Sequence, residues 1–192
     1  MSVAADLIRQ SRQAKGLTQR DLAARVGLPQ STVAAIEAGR RDPSSTTLAR
    51  HLRSTGHRLI TVATTGGTAA EAAEEIAVAL AAGNESGAFR SLIQLCDDLA
   101  AEQGPIRLAL TLTAAPLIGD RRYDAFIAAA AEHYLAVEDL PAPSWTSQPE
   151  RFARPIWFVA GIPGYEADAY RTAPISFVRH GVLVNASELS SV

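Results

Sequence analysis

The chain contains little cysteine and no long apolar run. Its 192 residues include one cysteine, Cys96, which excludes an internal disulfide and suits a reducing compartment. The first residues lack an apolar core of signal-peptide length, and no later run is long enough to span a membrane. We therefore expect a cytoplasmic protein without membrane contact. Because Cys96 falls on the apolar face of a predicted helix, we expect a buried, inert thiol rather than a nucleophile.

Recognisable catalytic and ligand-binding motifs are also missing. The four histidines have no partner at metal-ligand spacing, and the glycine-containing stretches lack the Lys-Ser/Thr ending of a phosphate-binding loop. No serine sits in a nucleophile-elbow setting. The sequence therefore predicts no metal, no cofactor and no catalytic residues.

Charge is divided unevenly along the chain. Residues 1–60 carry ten Lys and Arg against four Asp and Glu, a net charge of +6. Residues 61–192 carry eight Arg against sixteen acidic residues, a net charge of -8. A basic N-terminal part attached to an acidic remainder favours a polyanionic partner for the basic part. The alternative is a chance division of solvated charges.

Two short amphipathic helices are predicted within residues 17–41. Thr18 and Asp21 have the spacing of a capping box, so they predict the start of the first helix. Gly27 suits the left-handed residue that ends that helix, and Pro29 suits the start of the second. Gly39 then ends the second helix. Helices of about two turns joined by so few residues cross steeply, as in a helix-turn-helix.

The open face of the second helix carries side chains that suit a DNA major groove. Glutamine pairs with adenine, serine and threonine pair with either base type, and an alanine methyl packs on the thymine methyl. Gln19 and the arginines that follow Gly39 suit phosphate contacts. The alternative is a helical hairpin with polar outer faces. We predict eight DNA contacts: Gln19, Arg20, Gln30, Ser31, Thr32, Ala35, Arg40 and Arg41.

Residues 5–60 resemble the lambda-repressor-like helix-turn-helix domains of the xenobiotic-response-element type. The matching positions are Leu17-Thr18-Gln19, Asp21-Leu22-Ala23, Val26-Gly27, Ser31, Val33, Ile36-Glu37, Gly39, Pro43, Leu48 and Leu52. The resemblance implies a bundle of four helices at about 3–15, 18–26, 29–37 and 45–54. It also implies DNA contacts by Gln19, Gln30, Ser31 and Arg40. Two departures are Ala35, where some relatives have a long polar side chain, and a strand-like stretch, HRLITVAT, where many have a fifth helix.

A domain of this size contacts few base pairs, so we expect a homodimer on a two-fold operator with half-sites about 34 Å apart. Three elements remain open as the source of dimerisation. These are the helix-turn-helix domain, the predicted strand at Leu59 to Val62, and the rest of the chain.

The remainder of the chain is predicted to be mainly helical. After the linker Thr64 to Thr68, we expect helices over 69–82 and 85–102, one opened by Pro105, and one from Asp120 to about Val137. Their apolar stripes predict a four-helix unit. A Pro-rich packed strap follows over 139–155. Short strands within 156–164 and 180–189, separated by a helical turn near 173–181, are predicted to form a small sheet with 58–64.

The fold class is thus mainly α, with a lambda-repressor-like bundle followed by a helical domain with a small β element. We expect a DNA-binding domain over 1–63 and a partner-binding or dimerisation region over 69–192.

Residues 69–190 resemble the C-terminal region of bacterial helix-turn-helix proteins encoded beside a nucleotidyltransferase-type toxin. The resemblance rests on GDRRYDAFIAAAAEHYLAVEDLPAPSW, RFARPIWF and APISFVRHGVLV. It implies an antitoxin that binds its toxin and represses the shared operon. The candidate partner contacts are Arg121, Arg122, Trp145 and Trp157. Two arginines in the first turn of a helix oppose the macrodipole, an effect that a contact with a partner or an acidic side chain would offset. The alternative is a plain solvated pair.

Three hypotheses follow for function. The first is a transcription repressor that is also the antitoxin of a two-gene operon. The second is a stand-alone regulator whose C-terminal region binds a ligand or only dimerises; an apolar cavity with convergent polar groups would favour it. The third is an enzyme with a DNA-targeting domain, for which the sequence shows no catalytic constellation.

Overall fold

A computed structural model describes residues 3–161, 164 and 166–189. The chain divides into two compact units, Met1–Thr61 and Val62–Val192. In the described residues, the helices are α1 Val3–Ala14, α2 Gln19–Val26, α3 Gln30–Glu37, α4 Ser45–Ser54, α5 Ala69–Ala81, α6 Glu85–Ala101, α7 Gly104–Leu112, α8 Arg121–Ala136, α9 Glu166–Thr172 and α10 Ile175–Arg179. The strands are β1 Trp157–Phe158 and β2 Val182–Leu183. The prediction of a mainly helical fold with a small β element near the C-terminus is confirmed.

The first unit is a bundle of α1 to α4 around a small apolar core. Its buried side chains are Ile8, Leu22, Ala23, Val26, Val33 and Ile36, with Leu28 and Leu48 packed against them. The predicted capping box is present, since the Thr18 hydroxyl accepts from the Asp21 backbone N–H and the Asp21 carboxylate accepts from the Thr18 backbone N–H. Gly27 ends α2 with φ +64°, a left-handed conformation that is unfavourable for residues with a Cβ atom. These local signals set the bounds of α2, and the bounds that the resemblance implies for all four helices agree with the structure to within one residue.

The second unit is built around α8. Every residue from Tyr123 to Glu132 is buried, as is Leu135, so this helix is enclosed on all sides rather than along the single stripe predicted. Five of those residues are alanines, which allow α5, α6 and α7 to pack close to its backbone. The predicted capping box of Thr68 and Glu71 opens α5, and Asp120 caps α8 by accepting from the Arg122 backbone N–H.

The C-terminal segments complete the enclosure of α8. The predicted strap contains two 3₁₀ turns, Ser144–Ser147 and Pro149–Arg151, and both pack on α8. Beyond it, β1 and β2 pair in parallel, with Trp157 opposite Val182 and Phe158 opposite Leu183. Helix α9 was not predicted. Part of the predicted strand region, residues 162 and 163, lies outside the described residues.

The predicted strand at Leu59 to Val62 is wrong for the described single chain. Residues 57–64 have no regular structure, and the sheet of the described residues contains β1 and β2 alone. β-branched side chains favour extended backbone, but a strand also needs a partner for its N–H and C=O groups. In the described part of the chain, residues 58–64 have no such partner.

Two buried arginines hold the second unit together. Arg151 is 1% exposed, ion-pairs with Asp124 (Nη1 to Oδ1, 3.3 Å) and also donates to the Ala115 carbonyl. Arg107 donates from Nε to the Leu99 carbonyl at 2.7 Å and is paired with Glu138 at 3.2 Å. Each arginine therefore joins a loop or helix end to the core of the unit.

None of the helices in the described residues has the length and hydropathy needed to cross a bilayer.

Candidate DNA-binding site

The predicted DNA contacts lie at the start of α2, along α3 and just beyond its end. Arg20, Gln30, Ser31, Arg40 and Arg41 are exposed. Gln19, Thr32 and Ala35 are partly buried. An open depression of about 680 Å³ lies at the first turns of α2 and α3, lined by Arg12, Thr18, Gln19, Arg20 and Gln30. The free backbone N–H groups at two helix N-termini and the nearby arginines make this a favourable place for phosphate groups.

A buried carboxylate lies behind this surface. Glu37, at the end of α3, is 4% exposed and accepts two hydrogen bonds from Arg12 of α1, at 2.7 Å from Nε and 2.9 Å from Nη2. Burial raises the pKa of Glu37, but the hydrogen bonds from Arg12 and Gln19 outweigh that effect, so the pKa lies below its ordinary value. The same contact raises the pKa of Arg12. This two-bond ion pair ties α1 to α3.

Two glutamines extend this contact to the surface. The Gln19 Nε2 donates to Glu37 Oε2 at 3.0 Å, which leaves Gln19 Oε1 facing outward. Gln30 Nε2 donates to that oxygen at 3.0 Å. The chain of contacts from Glu37 through Gln19 to Gln30 fixes both amides before any ligand is present. Gln30 is exposed, and its Oε1 and second Nε2 hydrogen are not used in this contact.

The positioning residues Arg12 and Glu37 were not among the predicted site residues. Their pairing crosses 25 positions of sequence, which helical spacing does not reveal. One signal was present, because Glu37 directly follows Ile36 on the buried stripe of α3 and a buried acid needs a cationic partner.

Comparison with known proteins identifies the family of the first unit. A family model described as helix-turn-helix matches residues 8–53. The chain is 44% identical over 54 residues to an uncharacterized HTH-type transcriptional regulator of Methanothermobacter thermautotrophicus, a match that covers 28% of this chain and 78% of the relative. No solved structure gives a significant match. The chain belongs to the helix-turn-helix family of transcriptional regulators, which bind DNA and in general are not enzymes.

The predicted partner contacts in the second unit separate into two groups. Trp145 is wrong as a surface contact, because it is 4% exposed, its indole N–H donates to the Thr111 carbonyl and the Arg151 guanidinium stacks on its ring. Its ring is part of the core, as suits the packed strap predicted over 139–155. Arg121, Arg122 and Trp157 do lie together.

We call the surface formed by Arg121, Arg122, Arg154, Ile156 and Trp157 the arginine–tryptophan patch. It lines a cavity of about 190 Å³ beside the N-terminus of α8. Arg122 is paired with Asp120 at 2.7 Å and lies 5.8 Å from the Trp157 ring centroid, which explains how it is tolerated in the first turn. Arg121 and Arg154 are exposed and have no ion pair with any described residue. Arg154 and Ile156 were not predicted.

Proposed function

We propose that this protein is a sequence-specific transcription repressor that binds a two-fold operator as a homodimer. The observation that carries the proposal is the outward presentation of Gln30 by the Glu37–Gln19 contacts at the start of α3. Ser31 stands beside it at the exposed start of the same helix, and Arg40 and Arg41 follow at its end. This arrangement combines base-reading groups with phosphate-binding groups.

We expect Gln30→Ala to cost on the order of 1–3 kcal/mol in specific binding and to relax the preference at one position of each half-site. The reason is the loss of the paired donor and acceptor offered to a base edge. Binding to an operator and to all single-base variants of one half-site, measured at fixed salt, checks this. Gln13→Ala, an exposed glutamine on α1, is the matched control. Unchanged discrimination by Gln30→Ala would place base readout elsewhere.

Arg40→Ala should weaken binding to all sequences alike, because an arginine beyond the end of α3 suits phosphate rather than base contact. The slope of log affinity against log salt should become shallower by about one for each phosphate of the duplex that is no longer neutralised. Titrations across a series of salt concentrations measure that slope. Arg90→Ala, an exposed arginine of the second unit, should leave it unchanged.

We further propose that the protein is the antitoxin of a toxin–antitoxin operon. Its second unit resembles such antitoxins, and the arginine–tryptophan patch supplies a site for a partner's acidic and apolar side chains. Arginine and tryptophan are the residues most often found to dominate protein interfaces. The net charge of -8 over residues 61–192 would also steer a basic toxin toward this unit.

The antitoxin proposal is tested by co-expression with the product of the adjacent gene. We expect the wild-type protein to relieve growth arrest and to co-purify with that product in a fixed ratio. Arg121→Glu with Arg154→Glu should abolish both effects while operator protection persists, and Arg90→Glu should abolish neither. A homodimer that never associates with the co-expressed neighbour would instead favour the stand-alone regulator.

A further inference from the structure

Residues 58–64, RLITVAT, form an exposed connector with unused hydrogen-bonding groups. Leu59, Ile60 and Val62 are 51%, 77% and 45% exposed. No backbone N–H or C=O of this connector is hydrogen-bonded to another residue in the part of the chain that the structure describes. Each property by itself is common in a linker. A run of six uncharged residues, most of them β-branched or apolar, with a free backbone is a template for strand pairing.

Both ends of the connector are fixed. Before it, the His57 N–H donates to the Leu52 carbonyl at 2.8 Å, at the end of α4. After it, the Thr65 N–H donates to Glu102 Oε1 at 2.9 Å, and the Gly67 N–H donates to Asp98 Oδ2 at 2.7 Å, both on the α6 side of the second unit. The free stretch therefore begins and ends abruptly. It is bounded by hydrogen-bonded residues rather than merging into a longer unstructured loop.

We propose that the connectors of two copies pair as antiparallel strands about a two-fold axis through Thr61. This inference rests on the proposed homodimer and names the segment that forms it. Full overlap of seven residues places the middle one, Thr61, opposite itself. Leu59 then faces Ala63, Ile60 faces Val62, and Arg58 faces Thr64.

The connector is complementary to itself in this register. Its apolar side chains meet one another, and the two Arg58 side chains stand at opposite ends of the pair, so no like charges are opposed. Any shift of register leaves residues at the ends unpaired. Because the connector directly follows α4, the pairing would join two DNA-binding units at their C-terminal ends, as a two-fold operator requires.

Disulfide trapping of the full-length protein tests the register. In the proposed pair, the Cα atoms at position 61 of the two copies are roughly 5 Å apart, whereas those at position 63 are separated by about four residues of strand, roughly 13 Å. Only the first distance permits a disulfide. Under mild oxidation, Thr61→Cys should cross-link at least tenfold faster than Ala63→Cys. The native Cys96 is buried with a pKa raised to about 12, so wild type serves as the uncross-linked control.

A second variant tests the interface without a cross-link. Thr61→Lys places two ammonium groups on the axis and should convert the dimer to monomer in native mass spectrometry, with unchanged helical circular dichroism. Arg58→Glu, whose partner is Thr64, should stay dimeric. Equal cross-linking at positions 61 and 63, or a Thr61→Lys protein that remains dimeric, overturns the pairing. Operator protection by the same wild-type sample tests the proposed function separately, since a dimer formed elsewhere would still protect DNA.

Discussion

Glu37→Gln is expected to destabilise the DNA-binding unit by roughly 3–5 kcal/mol, because it leaves the largely buried Arg12 guanidinium without its carboxylate. The ordinary stability of a small domain is only about 5–15 kcal/mol, so this is a large fraction of the total. Urea denaturation followed by circular dichroism measures it on the full chain. Asp6→Asn removes the half-buried pair with Arg9 in the same unit, whose side chains remain in contact with solvent, and should cost about 0–1 kcal/mol.

The same variant should weaken operator binding beyond its effect on folding. Gln19 would lose a charged acceptor, so its amide and that of Gln30 would no longer be held in one orientation. Affinity measured well below the unfolding temperature separates the two effects. If Glu37→Gln lost stability but kept full base discrimination, the contacts through Gln19 would not be needed to orient Gln30.

This pair also predicts an acid dependence. The folded-state pKa of Glu37 is lower than the 4.5 that is ordinary for glutamate. Its contribution to the free energy of unfolding is therefore fully present above about pH 4.5 and is lost as the pH falls through the lowered pKa. The unfolding free energy of wild type should therefore fall more steeply below pH 4.5 than that of Glu37→Gln.

Arg151→Met is expected to lower the unfolding free energy of the second unit by roughly 3–5 kcal/mol, because it leaves the buried Asp124 carboxylate without its cationic partner. Burial raises the pKa of Asp124 and lowers that of Arg151, so both charged forms are costly at this position and depend on each other. Replacing both, as Arg151→Met with Asp124→Asn, should recover much of the loss, because no buried charge remains. Asparagine keeps an oxygen to accept from the Ile118 N–H.

A surface pair of the same chemistry is the control. Arg171 and Asp168 lie 2.7 Å apart but are 78% and 42% exposed, so Arg171→Met should change stability by about 0–1 kcal/mol. Thermal unfolding of the three variants and wild type gives the comparison. A double variant as unstable as Arg151→Met would show that the arginine stabilises the unit through its contacts with Ala115 and Trp145 rather than by neutralising Asp124.

Sequence predicted the parts of the fold that local physics determines. Capping boxes at Thr18 and Thr68, the left-handed Gly27 and apolar residues at helical spacing set the helix bounds. The predictions failed where partners come from distant sequence. The connector lacks a neighbouring strand within the described chain, and Trp145 is buried because Thr111 and Arg151 fold onto it. The Glu37–Arg12 pair was missed for the same reason.

The alanines enclosed at the centre of α8 have a consequence for temperature dependence. Alanine loses no side-chain rotamer freedom on burial but removes little apolar surface from water. The heat capacity of unfolding scales with the apolar area exposed, so a core centred on Ala125 and Ala128 to Ala131 should give a smaller value than a leucine-rich core of equal length. The curve of unfolding free energy against temperature would then be flatter for the second unit, so its stability would change less between low and high temperature.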